Sequence, residues 1–233
     1  MFLQRSYAPE IMDDFSIEDE RIDEALNELK LINKYLGGIA TSAEGLKRLV
    51  GQNHLSSDLN VLDIGSGASD VVIALQRGNK KIKITALDLN KRACEYLRTN
   101  SDETAVVCGD VNSLPFKYGH FDYVHTSLFL HHFKAEEIKT ILNNLVLLSR
   151  TGLIINDLRR SILALAGIKL LTILFSKSKM VKNDAPLSVR RGFTKKELRA
   201  ILDSLNCKYF IKRKWAFRWC VVIYKNSFNQ NKP

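Results

Sequence analysis

The chain has 233 residues, of which 45% are hydrophobic and 26% charged, and its formal net charge is +10. This length suits one domain with a substantial core, and the composition excludes a disordered or low-complexity chain. No stretch reaches the roughly 18 uninterrupted apolar residues of a membrane-spanning helix.

The positive charge is concentrated in the last quarter of the chain. Residues 1–60 carry a net charge of −5, residues 61–176 carry +3, and residues 177–233 carry +12. Such a region can serve nucleic acid, an anionic membrane surface or an acidic substrate, or it can be a solvated face, and the sequence leaves all four open. The four cysteines show neither metal-ligand spacing nor a disulfide framework, so we expect a cytoplasmic protein without a metal site.

Two helices are predicted before the first strand. Apolar residues at three- and four-residue steps indicate an amphipathic helix from Ile17 to Leu36, which Gly37 and Gly38 end, and a second helix covers residues 41–50. Residues 1–15 are predicted to be irregular, and residues 51–60 form a polar loop that enters the first strand.

Strands and helices then alternate, which predicts a parallel sheet with right-handed crossovers. The predicted strands are Val61–Ile64, Ile82–Leu87, Ala105–Cys108, Phe121–Thr126 and Leu153–Ile155. The predicted helices between them are Val71–Leu75, Lys91–Arg98 and Ala135–Leu148.

The alternation breaks after the fifth strand. Ile162 to Phe175 is apolar on all sides apart from Lys169, which predicts a helix that is buried or faces an apolar partner. Residues 176–192 are predicted to be a polar, basic loop. The last predicted elements are a capped helix from Thr194 to about Leu205, an antiparallel strand pair at Lys208–Ile211 and Arg218–Tyr224, and a disordered tail from Asn226.

The predicted fold class is therefore α/β, with a Rossmann-like, seven-stranded, mostly parallel sheet and helices on both faces. The chain is predicted to form one domain. We divide it into an N-terminal helical cap (1–57), a core (58–157), a helical insertion after strand 5 (158–192), and a C-terminal helix with the antiparallel strand pair (193–225).

A tight glycine turn follows the first strand. Gly65 and Gly67 allow a positive φ and a close approach of a ligand, and the helix start aims N–H groups at the same point. Asp63, directly before the turn, suits a cationic group and would repel a pyrophosphate. Asp88 and Asp110 end the next two strands and share an edge of the sheet with Asp63, and Asp88 has the spacing of an acid that binds ribose hydroxyls.

These segments resemble the motifs of a known enzyme family. Residues 62–67 (LDIGSG), 87–90 (LDLN) and 108–111 (CGDV) are similar to the first three motifs of class I S-adenosylmethionine-dependent methyltransferases. Residues 121–124 (FDYV) and 130–133 (LHHF) resemble the fourth-strand motif of the small-molecule branch, which includes ubiquinone and menaquinone methyltransferases. Residues 9–14, 32–33 and 184–191 resemble a bacterial subgroup with members in polyketide pathways.

The resemblance implies S-adenosylmethionine as cofactor and S-adenosylhomocysteine as product. The resemblance implies that the amino-acid end of the cofactor is held by Asp63, Gly65, Ser66 and Gly67, and that its ribose binds Asp88. It implies that the adenine contacts Leu89, Asp110 and Val111, and that the floor near the methionine portion is formed by Thr126 and Ser127. Where the family usually has a third glycine in its first motif, this chain has Ser69.

The candidate acceptor residues follow strands 4 and 5. His131 or His132 could remove a proton from a hydroxyl acceptor, although either could instead cap or pack the next helix. Arginines suit an acidic group of the acceptor, although surface arginines are the common alternative. The candidates for this contact are Arg159, Arg160, Arg190 and Arg191, and Asp157, at the end of the fifth strand, is a further candidate for binding the acceptor.

The apolar helix at 162–175 is expected to roof the acceptor pocket. Its start lies at the edge of the sheet where ligands bind. The residues expected to line the pocket are Leu163, Leu170, Leu171 or Leu174. Lys169 is expected to point to solvent or to an anionic lipid surface, because an unpaired buried ammonium is costly.

The sequence therefore predicts a methyltransferase that O-methylates a hydrophobic small molecule, polyketide- or quinone-like. Two alternatives stay open: an RNA methyltransferase, favoured by the basic last quarter, and a catalytically silent binding protein that keeps the cofactor fold. We expect no DNA partner, and a weak peripheral contact with a membrane stays open as well.

Overall fold

A seven-stranded sheet forms the centre of the computed structural model, which describes residues 4–51, 58–78 and 81–225. The strands are β1 (Leu59–Ile64), β2 (Ile82–Asp88), β3 (Thr104–Cys108), β4 (Phe121–Ser127), β5 (Ser149–Leu158), β6 (Lys208–Lys214) and β7 (Arg218–Tyr224). Their order is β3-β2-β1-β4-β5-β7-β6, with β1 to β5 parallel and β7 antiparallel to both β5 and β6. The predicted fold class is thereby confirmed.

The helices surround this sheet. They are α1 (Glu20–Tyr35), α2 (Gly38–Val50), α3 (Asp70–Gly78), α4 (Lys91–Asn100), α5 (Ala135–Leu148), α6 (Ile162–Phe175), α7 (Lys179–Arg191) and α8 (Lys195–Asp203), with 3-10 turns at Ile11–Asp13 and Leu130–His132. Within the described ranges, no helix combines the length and the hydropathy needed to cross a bilayer. The predicted tail from Asn226 and most of the predicted loop at 51–60 lie outside the described residues.

The core lies on both faces of the sheet. On one face, the apolar stripe of α5 packs with α8 against β4, β5 and β7. The stripe has the helical spacing Ile138, Ile141, Leu142 and Leu145, and all four side chains are buried. On the other face, α2 and α3 pack against β1, β2 and β4. Both faces of the central strands are therefore covered, which explains why these strands are continuously apolar.

The predicted loop at 176–192 is wrong, because this segment forms helix α7. Ser178 caps its start by accepting a hydrogen bond from the backbone N–H of Val181 at 3.4 Å. The helix contains Pro186, and its buried side includes Asp184 and Arg191, so the apolar period of an ordinary helix is interrupted. These polar residues contact other polar groups, as described below.

Helix α6 has the predicted bounds but not the predicted surroundings. Only Ala164, Ile168 and Thr172, one residue per turn, are buried, and they form a narrow stripe. Ala164 and Ile168 pack with Val189 of α7. Most of the remaining apolar surface of α6 is exposed.

Candidate functional site

A cavity of about 430 Å³ opens at the carboxyl edge of the sheet, and we call it the larger cavity. The β1–α3 turn and the ends of β2, β3 and β4 form its floor, as expected for an open α/β sheet. Helix α7 and the residues 5–15, which we call the strap, close it from above. The predicted cofactor residues that line it are Asp63, Gly65, Ser66, Gly67, Asp88, Leu89, Asp110, Val111 and Ser127.

The glycine turn adopts the backbone that its sequence predicts. Gly65 and Gly67 have φ angles of 61° and 49°, in the left-handed region. A Cβ atom at Gly65 would lie 2.1 Å from the ring of Phe129, so no larger residue fits there. The backbone N–H of Gly67 donates to Asp88 Oδ2 at 2.7 Å, which fixes the turn to the end of β2.

Ser69 shows how the chain manages without a third glycine. Its φ of 49° is left-handed, which is unfavourable for a residue with a side chain. The Ser69 hydroxyl, however, donates a hydrogen bond to a carboxylate oxygen of Asp63 inside the core. This bond offsets the strain and holds Asp63 at the edge of the larger cavity.

Asp63 has a second partner that sequence reasoning missed, the buried imidazole of His125. Nδ1 of His125 lies 2.7 Å from Asp63 Oδ1, and Nε2 lies 2.8 Å from the Ser42 hydroxyl. Ser42 in turn accepts from Asn156 Nδ2 at 3.0 Å. Because a carboxylate accepts hydrogen bonds, Nδ1 of His125 donates to Asp63, and the Ser42 hydroxyl donates to Nε2 of the neutral ring. His125, on the neighbouring strand β4, therefore holds the carboxylate of Asp63 in place at the edge of the larger cavity.

The same chain of hydrogen bonds continues to the other side of the glycine turn. The buried Arg218 guanidinium donates to Asn156 Oδ1 at 3.1 Å and to Asn33 Oδ1 at 2.8 Å. Asn33 then donates to Asp70 Oδ1 at 3.2 Å. Burial lowers the pKa of Arg218 to about 10 and raises that of Asp70 to about 6. Asp63 and Asp70, which both line the larger cavity, are thus connected through the core.

Asp88 lies at the end of β2, facing the larger cavity. Its carboxylate accepts hydrogen bonds from the backbone N–H groups of Gly67 and of Asn90, the latter at 2.9 Å. Burial raises its pKa. Each oxygen has taken one donor, so each keeps a lone pair for a ligand hydroxyl.

Several polar atoms around the larger cavity are buried without a hydrogen-bond partner among the described residues. The cavity-lining residues that carry them are Ser66 (Oγ), Asn90 (Nδ2), Ser127 (Oγ) and His131 (Nε2). An unpaired buried polar group costs free energy, so this cavity fits a polar ligand. Thr126 was expected with Ser127, but it does not line the cavity, because successive residues of a strand point to opposite faces.

Two histidines in the wall of the larger cavity are each held by an aspartate. His131 Nδ1 lies 2.7 Å from Asp157 Oδ1, and His132 Nδ1 lies 2.6 Å from Asp13 Oδ1. Burial opposes the ionisation of Asp157, but the contacts with His131 outweigh it and lower the pKa of Asp157. His131 Nε2 is 3.7 Å from Glu10 Oε1, too far for a hydrogen bond.

Glu10 completes this cluster. Atoms of Glu10, His131 and His132 that could bind a cation lie within 4.8 Å of one another. The guanidinium of Arg191 lies 3.5 Å from Glu10 Oε1 and already supplies a positive charge beside these three residues. We therefore interpret them as an acid–base cluster and not as a metal site. Burial raises the pKa of Glu10 to about 7.

The strap is fastened to α7 by buried polar contacts. Asp184 accepts from the backbone N–H groups of Ile11 at 2.8 Å and Met12 at 3.0 Å. Arg191 donates to Asp13 Oδ2 at 2.6 Å, and the Ser188 hydroxyl donates to Glu10 at 2.9 Å. The segments 9–14 and 184–191, which the sequence singled out separately, therefore form one roof.

The predicted acceptor residues are placed differently from expectation. Asp157 contacts His131, and Arg191 contacts the strap, so both support the cluster from behind the cavity wall. Arg160 donates to Glu197 at 2.6 Å, and the Arg159 guanidinium stacks on Phe217. Arg190 is exposed, and its carbonyl accepts from Ser6.

Helix α6 does not line the larger cavity, because α7 and the strap hold that position. That α6 roofs the acceptor pocket stays a prediction, and of the four leucines named for it Leu171 lines the cavity described next. Leu163, Leu170 and Leu174 are 59–71% exposed and line neither cavity. Lys169 is exposed, as expected.

A second, smaller cavity of about 240 Å³ adjoins the larger one. The two share the residues Leu29, Leu128, Ala185 and Ser188. Apolar residues of α6 line it, among them Ile168 and Leu171, as do Trp215 and Phe217 from the β6–β7 turn. Its lining is almost entirely apolar, so it suits an apolar ligand or ligand portion.

Several residues of the site were given no role by the sequence. Glu10, Met12 and Phe15 of the strap line the larger cavity although their segment has no periodic pattern. His125 lies within a strand and reads as an ordinary core position. Asn33 belongs to the resemblance at residues 32–33, which gave it no role, and the structure shows that it is buried.

Comparison with known proteins agrees with this geometry. The family model described as a methyltransferase domain matches residues 61–152. That range covers β1 to β4 and the beginning of β5, which contain the glycine turn, Asp63, Asp88, Asp110 and both cluster histidines.

Solved structures extend the likeness to most of the chain. The plantazolicin methyltransferase BpumL, in complex with a triazolic desmethylPZN analog and SAH, has a TM-score of 0.68 at 15% identity, covering 91% of this chain and 93% of that one. Magnesium protoporphyrin IX methyltransferase from Synechocystis PCC 6803 has a TM-score of 0.61 at 16% identity, and the match covers 92% of this chain and 100% of that one. Human N-acetylserotonin methyltransferase has a TM-score of 0.66 at 16% identity, and the match covers 95% of this chain and 60% of that one. At these identities the likeness establishes the fold.

Proposed function

We propose that this class I S-adenosylmethionine-dependent methyltransferase, whose motifs resemble the small-molecule branch, O-methylates a hydrophobic small molecule. The observation that carries the proposal is the hydrogen bonding of His131. Its Nδ1 is tied to Asp157, and its Nε2 is buried without a partner in the wall of the larger cavity. A histidine in this arrangement is equipped to accept the proton of an acceptor hydroxyl.

The larger cavity fits the cofactor by the chemistry of its residues. Asp63 suits an ammonium group, Asp88 keeps acceptor capacity for hydroxyls, and the glycine turn allows a close approach to the backbone. Leu89, Asp110 and Val111 remain our candidates for the adenine, and Ser66 and Ser127 offer unpaired hydroxyls. When bound, S-adenosylmethionine supplies an activated methyl group on a sulfonium.

The protein's own task is alignment, removal of water and transfer of one proton. Asp157 accepts from Nδ1–H of His131 and so selects the tautomer whose Nε2 has a free lone pair. As the acceptor hydroxyl gives up its proton, Nε2 takes it, and the charge of Asp157 stabilises the imidazolium. The strap and α7 cover this position and keep water out.

The second cavity is our candidate for the apolar body of the acceptor. It shares part of its wall with the larger cavity, so a ligand there can present a hydroxyl towards His131. The three neighbouring structures are named for plantazolicin, magnesium protoporphyrin IX and N-acetylserotonin, which favours a small-molecule acceptor.

The proposal is tested with labelled S-adenosylmethionine, offered with fractions of a lipid-rich metabolite extract and, separately, with total RNA. We expect labelled product from the extract alone. His131→Gln should lower turnover by about 10²–10⁴-fold and abolish the acid limb of the pH–rate profile, while cofactor affinity stays unchanged. His120→Gln, at an exposed histidine, is the matched control.

Three results contradict the proposal in different ways. Labelled RNA would favour the RNA methyltransferase. Cofactor binding without product from either source would favour the silent binding protein. Normal turnover of His131→Gln would show that the protein transfers methyl groups but that His131 is not the base.

A further inference from the structure

The outer side of α6 is an apolar surface without a partner among the described residues. Its members, which we call the α6 face, are Ile162, Leu163, Leu170, Ile173, Leu174 and Phe175, each 59–76% exposed. A surface helix normally presents polar residues to water, whereas this helix has one charged residue, Lys169. A contiguous apolar patch of this kind marks an interaction site.

The segment of the chain that contains α6 is basic, although the carboxylate of Glu28 from α1 accepts hydrogen bonds from residues 176–178, just after the helix. Residues 158–183 contain six basic residues and no acidic one. Lys169, Lys177 and Lys179 are exposed on or beside the helix. A helix with an apolar face and a basic margin is complementary to an anionic lipid surface. A second copy of this chain is a poorer partner, because a two-fold contact would bring the same lysines together.

The length of α6 decides how it would meet a bilayer. Its 14 residues extend about 21 Å at 1.5 Å per residue, less than the hydrocarbon core of about 30 Å. The helix is also fixed along one side by α7, through Ala164 and Ile168. It can therefore lie in the plane of the interface, with its outer side immersed, without leaving the protein.

The second cavity lies directly behind this face. Leu171 is 39% exposed and also lines the cavity, so the cavity wall reaches the surface beside the α6 face. Trp215, which is 73% exposed, lines the same cavity from the β6–β7 turn. Tryptophan is enriched where a membrane meets water, because its ring is apolar and its N–H is polar.

We propose that the α6 face docks the protein on anionic lipid bilayers. Docking places the second cavity next to the membrane surface, so that an apolar acceptor can enter it without crossing water. The docking itself is independent of the proposed methyl transfer, because it is measured with lipid and protein alone.

The test is co-sedimentation of the full chain with vesicles of phosphatidylcholine, with and without 30% phosphatidylglycerol. We expect at least tenfold stronger binding to the anionic vesicles, and weaker binding as salt is added. Leu170→Ser with Leu174→Ser should reduce binding at least tenfold. Lys169→Glu with Lys177→Glu should reduce binding to the anionic vesicles alone.

The control is Tyr118→Ser with Leu147→Ser, which removes two exposed large side chains at the opposite edge of the sheet. This variant should bind vesicles like the unchanged protein, and all variants should retain its melting temperature. Vesicle binding that survives Leu170→Ser with Leu174→Ser would overturn the proposal, as would equal binding to both lipid mixtures. A dimer that the same two substitutions dissociate would assign the α6 face to a second copy and likewise overturn it.

Discussion

Ser69 carries two opposing effects at a single residue. Its left-handed backbone is strained, and its hydroxyl bond to buried Asp63 is stabilising. We therefore expect Ser69→Ala to destabilise the fold by about 1–3 kcal/mol, because the strain remains and Asp63 loses a partner. Ser69→Gly should cost less, since glycine adopts the same backbone freely.

Urea unfolding of the two variants measures this difference. Ser204→Ala serves as a control for loss of a serine hydroxyl at the end of a helix, because the Ser204 hydroxyl only donates to the nearby Ile201 carbonyl. An equal free energy of unfolding for the alanine and glycine variants at position 69 would show that the backbone is not strained there.

Asp88 is the residue on which cofactor affinity is expected to depend most. Asp88→Asn keeps the shape but removes the charge that strengthens hydrogen bonds to ribose hydroxyls. We expect the affinity for S-adenosylmethionine to fall by about 1.5–3 kcal/mol, measured by calorimetry. Asp102→Asn, at an exposed aspartate, is the control and should bind normally. Unchanged affinity of Asp88→Asn would refute the ribose role.

At the scale of elements, the roof of the larger cavity depends on Asp184. Its carboxylate holds two backbone N–H groups of the strap, so Asp184→Asn should loosen residues 10–13 without unfolding the core. Hydrogen exchange at Ile11 and Met12 should become at least tenfold faster, while exchange in β4 stays unchanged. Asp203→Asn is the matched control, because Asp203 accepts a hydrogen bond from the side chain of Tyr209 near the surface, away from the strap.

A different outcome for the roof is also informative. If exchange at Ile11 and Met12 were as slow in Asp184→Asn as in the unchanged protein, the strap would be held by its contacts with Arg191 and Ser188 instead.

The sequence was sufficient for elements that have a periodic pattern and insufficient for elements held by polar contacts. Helices α5 and α6 have the bounds that their apolar residues predict. Helix α7 was missed because its partners are backbone groups of the strap, far away in the sequence, and its buried Asp184 and Arg191 resemble surface residues. The arginines after β5 were misplaced for the same reason, since a sequence does not distinguish a ligand-binding arginine from one paired with Glu197.

For the molecule as a whole, buried carboxyl groups make stability depend on pH. Burial raises the pKa of Glu10 to about 7, above its ordinary value of 4.5. The stability that a raised pKa contributes is complete below about pH 4.5 and is lost as the pH rises through about 7. Asp70, with a pKa raised to about 6, acts in the same direction.

Glu10→Gln, which stays neutral, should therefore remove part of this pH dependence. At pH 8 we expect the variant to be more stable than the unchanged protein by about 1–3 kcal/mol, and at pH 4.5 the two should be nearly equal. Chemical denaturation at both pH values measures this, with the exposed Glu103→Gln as control. Equal stability at pH 8 would mean that Arg191 neutralises Glu10 in the folded state.

The overall architecture and the floor of the site could be predicted because both follow from strand ends. Parallel strands place Asp63, Asp88 and Asp110 at one edge whatever the surrounding helices do. The roof and the second cavity required the structure, because they join residues from both halves of the chain.

The attachment of the strap to α7 also sets an order of events during synthesis. Ile11 leaves the ribosome 173 residues before Asp184, the acceptor of its hydrogen bond. At roughly 5–20 residues per second, the strap waits on the order of ten seconds for its partner. The roof of the larger cavity therefore cannot close until α7 has been made, some time after the residues of the floor.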